Sequence, residues 1–101
     1  MTKIMNLPEF RSFCENCGMK RFYYNSSNDC ADDAFNISVS FPSPTVVPAA
    51  KSVCFSEGKS NRMLLGNISR VVYTETEAGI RRVAFERAGS AGISRFTFHV
   101  L

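Results

Sequence analysis

The residues of this chain whose types and spacing could do chemistry begin with Cys14-Glu15-Asn16-Cys17-Gly18. Two thiolates a short turn apart fill two of the four tetrahedral positions around zinc, and a Gly after the second relieves the tight backbone. A closed site needs two more ligands. Those remaining are Cys30, Cys54 and His99, each standing alone and not in a second C-x-x-C, so Cys14, Cys17 and Cys30 are weak metal candidates and no metal is favoured. A redox role fits less well. A reactive thiol pair sits at a helix N-terminus, where the dipole stabilises thiolate, whereas this pair falls in the last turn of the helix expected over 6–18. The reading that explains most is apolar: Cys14 and Cys17 continue a stripe begun at Leu7 and Phe10, and reduced Cys packs as a small hydrophobe.

His99 is the sole histidine, which excludes any mechanism that needs two. It alternates outward beside Arg95 and Thr97, with Glu86 as a carboxylate neighbour across the 87–93 segment, and an exposed surface His is the expectation. Asp29, Asp32 and Asp33 lack the spacing and Gly of a calcium loop and read as a solvated turn. Gly89 and Gly92 precede a strand, whereas a phosphate-cradling loop follows one. No catalytic or cofactor-binding residue is expected, and the chain reads as non-enzymatic.

The elements that must position these residues follow from periodicity. Over 6–18, Leu7, Phe10, Phe13, Cys14 and Cys17 form a helical stripe, with Asn6 as cap, Pro8 in the first turn and Gly18 as terminator. Phe22-Tyr23-Tyr24 begins a strand, 25–29 is a turn cluster, and 30–33 forms a single helical turn. From Phe35 the period changes to two, sending Phe35, Ile37, Val39 and Phe41 to one side. Residues 42–50 read as a Pro-rich loop, because each Pro lacks a ladder donor. Val53 and Phe55 resume the alternation, 57–60 turns, and Met63-Leu64-Leu65 follows as a short strand.

The sharpest tertiary expectation concerns 68–87. Glu77-Ala78-Gly79 is a three-residue hairpin loop with Gly at its left-handed position. Pairing Thr76 with Ile80 sets Tyr73 opposite Val83 and Val71 opposite Phe85 on one face, and Val72 opposite Ala84, Thr74 opposite Arg82 and Arg70 opposite Glu86 on the other. After a flexible 88–92, a last strand turns Phe96, Phe98 and Val100 inward and Arg95, Thr97 and His99 outward. Arg70, Arg82, Arg95 and His99 then share a solvent face, with Arg62 and Arg87 close by. Its other members, Val72, Thr74, Ala84 and Thr97, include no aromatic platform of the kind that single-strand binding uses.

The balance of the chain suits this picture. It is 45% hydrophobic and 21% charged, the composition of one ordinary globular domain spanning 1–101. Twelve basic residues against 9 acidic give a formal +3, too small an excess to imply a polyanion partner. No apolar run suits a signal peptide or membrane helix, so the chain is read as cytoplasmic, with its four cysteines reduced. The expected fold is α+β, predominantly β: a five- or six-stranded curled antiparallel sheet or small barrel with one short N-terminal helix. Its core candidates are Phe10, Phe13, Phe35, Ile37, Val39, Phe41, Val53, Phe55, Leu65, Val71, Tyr73, Val83, Phe85, Phe96, Phe98 and Val100. The expected function is a non-enzymatic β-rich module, a bacterial or mobile-element accessory protein, docking a protein partner or a second copy of itself through Arg70, Arg82, Arg95 and His99. A zinc-knuckle adaptor and a single-stranded nucleic-acid-binding domain are the alternatives.

Overall fold

A computed structural model of the chain describes residues 1–18, 21–25, 38–89 and 92–101. The expectations for Cys30, Asp29, Asp32, Asp33, the helical turn at 30–33, Phe35 and Ile37 lie outside the described residues. The architecture is α+β and predominantly β. Strands β1 (Thr2–Met5), β7 (Ile68–Glu75), β8 (Arg81–Gly89), β9 (Gly92–Val100), β2 (Phe22–Asn25) and β3 (Ser38–Phe41) lie side by side in that order as one antiparallel sheet. A second sheet has the order β4 (Thr45–Val47), β5 (Ser52–Glu57) and β6 (Asn61–Leu65). Among the described residues the strands therefore divide six and three, and they do not close into a barrel.

Helix α1 (Leu7–Cys17) starts and stops where local chemistry demands. Asn6 accepts from the Glu9 backbone at 2.9 Å, while the Glu9 carboxylate accepts from the Asn6 backbone at 3.1 Å, a reciprocal capping box. Gly18 closes the other end at φ 60°, a left-handed position that side chains disfavour. The stripe then packs as its spacing requires: Phe10 meets Phe85 edge-on at 5.2 Å and Phe13 tilts against Tyr73 at 4.8 Å.

The β7–β8 hairpin has the register that turn chemistry dictates. Gly79, at φ 84°, donates to the Thr76 carbonyl at 2.9 Å, and Thr76 donates to Ile80 at 2.9 Å. Val71 faces Phe85, Tyr73 faces Val83, Thr74 faces Arg82 and Arg70 faces Glu86. A bulge between Ile68 and Arg70 then turns Ile68 into the core.

One core joins both sheets and the helix. Phe55, at its centre, stacks on Phe98 at 4.4 Å and meets Phe22, Phe41 and Phe85 within 5.5 to 5.8 Å. Phe10, Phe41, Val53, Phe55, Leu65, Val71, Tyr73, Val83, Phe85, Phe98 and Val100 are buried as expected, while Phe13, Val39 and Phe96 are half-buried against the cluster. Leu7 joins them from the expected helical stripe, and Met5, Phe22, Tyr24, Val46 and Ile68 join them unanticipated.

Two sequence expectations are corrected, and one strand was not anticipated. The Pro-rich loop over 42–50 contains β4, whose Val46 is buried opposite Val53; Pro44 and Pro48 flank the strand without occupying it, and β4 is an edge. Of the segment expected to be flexible over 88–92, the described residues Ala88, Gly89 and Gly92 lie in the ladder, with Ala88 opposite Ile93 and Gly89 opposite Gly92. Residues 2–5, too short and mixed to show a period, form β1 because β7 offers a free edge.

Candidate interaction surface

The outer face of the six-stranded sheet carries the residues singled out by sequence, and pairing register arranges them in three rows. Antiparallel neighbours directly opposite one another hold their side chains about 4.5–5.5 Å apart at Cβ, so each row is a line of adjacent side chains. The central row is Ile4, Val72, Ala84 and Thr97, with Ile4 60% exposed at the β1 edge. On one side of it run Thr74, Arg82, His99, Tyr23 and Ser40. On the other stand Arg70, Glu86 and Arg95.

Glu86 anchors the third row. Its side chain is only 3% exposed, yet every acceptor need is met: Oε1 accepts from Arg70 Nε at 2.5 Å, and Oε2 from Arg95 Nη2 at 2.5 Å and Nε at 3.1 Å. The hydrogen bond from Arg70 chiefly holds the Glu86 carboxyl below the usual carboxylate range, against burial, which acts the other way. The Arg70 guanidinium is correspondingly raised. This carboxylate therefore occupies two of the four groups expected to meet a partner. Arg82 is exposed and, among the described residues, has no carboxylate partner.

His99 is half-buried between Arg82 and Tyr23, and its expected neighbour Glu86 pairs instead with Arg95, four residues back along β9. Tyr23 overturns a second expectation. The face does hold an aromatic ring, because β9 pairs with β2 and sets Tyr23 directly opposite His99. Alternation in Phe22-Tyr23-Tyr24 was the available signal that Tyr23 points opposite to its neighbours, but which sheet face it joins depends on a distant strand. Beyond it, Arg21 donates from Nε to Ser40 Oγ at 2.9 Å and grips the Glu57 carboxylate on the other sheet. That hydrogen bond raises Arg21 and lowers Glu57.

Arg62 and Arg87 do not belong to this face. Arg62 lies on β6 in the small sheet, and Arg87 stacks over Phe96 at 5.0 Å on the core side of β8. Of the weak metal candidates, Cys14 lies half-buried against the core, where the apolar stripe would put it. Cys54 is on β5, paired with Thr45 and Leu64 and far in sequence from Cys14. Among the described residues no three His, Cys, Asp or Glu side chains gather as a metal site, and no helix is long and apolar enough to cross a membrane. Comparison with protein-family models, curated proteins and solved structures finds no match to this chain.

Proposed function

We propose that this domain is a non-catalytic interaction module that docks a protein partner on the outer face of the six-stranded sheet. One observation carries the reading: the apolar residues Ile4, Val72 and Ala84, in a row that ends at Thr97, run between two rows bearing arginines, a histidine and a tyrosine. Protein interfaces combine an apolar centre with a polar rim, and arginine and tyrosine are enriched in them. Three arginines against one glutamate leave the face basic, so the partner surface is acidic around an apolar centre. The reading goes with a cytoplasmic accessory protein of bacterial or mobile-element type, its thiols reduced and without zinc.

A photo-crosslinkable phenylalanine analogue at position 72, with position 45 on β4 as control, tests this in cells of the source organism. A discrete adduct is expected from position 72, absent from position 45 and lost on adding Arg82→Glu. No adduct from position 72, or the same adducts from both positions, overturns the proposal. A second reading, single-stranded nucleic acid, is favoured by the alignment of Tyr23 with His99 and Arg82. That row pairs a stacking ring with a phosphate-binding cation.

A further inference from the structure

Strand β3 ends the large sheet and β6 ends the small one, and between them lies a cavity of about 230 Å³. Its two walls differ in kind. Tyr24, Val39 and Phe41 share the core-facing side of the β2–β3 pair, with Tyr24 directly opposite Val39, and form an apolar floor. The other wall is Ser60, Asn61, Arg62 and Met63, consecutive residues whose side chains in a strand would alternate between faces. Ser60 belongs to the turn before β6, and Asn61, Arg62 and Met63 are the first residues of that edge strand. Among the described residues β6 pairs only with β5 and β3 only with β2, so each is an edge strand of its sheet.

We propose that this slot docks an extended segment of a partner protein, which adds as a strand to β6 and seats one large apolar side chain on Tyr24, Val39 and Phe41. Strand addition takes affinity from main-chain hydrogen bonds and specificity from pockets for alternate side chains, and the slot supplies both. The cavity is below the roughly 300–1,000 Å³ of sites that enclose a whole small molecule, which suits a single side chain. Charge narrows the segment further. Arg62 lines the cavity, exposed and without a carboxylate partner among the described residues, while Glu57 is held by Arg21. An acidic residue beside the apolar anchor complements that rim. This site is separate from the outer face of the large sheet and stands or falls without it.

Selection of displayed random peptides about twelve residues long against the full chain tests the proposal. Enriched peptides are expected to alternate apolar and polar residues, with Phe, Leu or Ile at the anchor and Asp or Glu nearby. A selected synthetic peptide should slow amide exchange in residues 61–65 at least tenfold. Met63→Glu and the surface change Arg62→Glu should each weaken it at least tenfold, and Arg82→Glu should leave it unchanged. Three results overturn the slot: no enriched peptide, binding indifferent to Arg62→Glu, or protection that leaves 61–65 unchanged. Loss with Arg82→Glu alone would move the peptide to the outer face, sinking the slot while sparing the proposed function.

Discussion

Glu86 stands directly opposite Arg95 across the β8–β9 ladder, and its carboxylate is buried while the arginine that covers it is 59% exposed. A charge in that position is tolerable because Arg95 and Arg70 supply hydrogen bonds to both oxygens. Strands β7, β8 and β9 are thereby tied on the face away from the core, leaving Arg82 as the outer-face arginine without a carboxylate partner among the described residues.

The Glu86 carboxyl is held low in the folded state, so its contribution is present above the unfolded carboxylate range, about pH 4.3, and is lost as pH falls through the lower folded value. Urea unfolding midpoints should therefore drop between pH 6 and pH 3. Glu86→Gln should cost about 1–3 kcal/mol at pH 7, as expected for hydrogen bonds to a charged group, and should flatten the drop. A variant whose midpoint falls in parallel with the parent would show that Glu86 is not the group responsible.

Phe85 is fully buried and touches Phe10, Phe55 and Phe98, whereas Arg82, three residues earlier, points to solvent. Phe85→Ala should cost about 3–5 kcal/mol and Arg82→Ala no more than about 0.5. Comparable losses in chemical denaturation would mean the hairpin is inverted, since a one-residue slip exchanges its faces.

Cys14 already has an apolar setting against the core, so the chain should fold without zinc. Elemental analysis of protein expressed in unsupplemented medium should give well under one zinc per chain, and a chelator should leave the melting temperature unchanged. One equivalent of zinc, released on replacing Cys14 and Cys17, would replace the docking module with a zinc-knuckle adaptor.

The nucleic-acid reading is separable by salt. With Arg70 and Arg95 both bound to Glu86, a labelled 20-nucleotide single strand should bind no tighter than about 10 micromolar at physiological salt. Sub-micromolar affinity, with a log–log salt slope of about −0.7 per phosphate contacted and loss on Arg82→Ala with Tyr23→Ala, would promote the second reading.

What the sequence determined by itself was local. Asn6, Pro8 and Gly18 bound the helix through dihedral preference and orphan hydrogen-bond groups, so α1 is legible within a residue at each end. Gly79 fixes the hairpin turn, and once the turn is fixed the β7–β8 pairs from Arg70–Glu86 to Glu75–Arg81 follow by counting, whereas the bulge that sets Ile68 opposite Arg87 does not. Apolar alternation likewise identified most of the core, because facing inward is a property of each strand whatever its neighbours. Tertiary structure decided which strands became neighbours. Tyr23 meets His99, Lys3 meets Tyr73 and the β6 edge faces β3 only because residues far apart in the chain pair or pack, and no local preference records that choice. The burial of Glu86 is of the same kind: its own strand makes it outward-facing, and only arginines brought in from β7 and β9 cover it. Strand order is set by the packing of the whole core around Phe55, a sum over contacts between distant segments, and the outer face takes its chemistry from that sum.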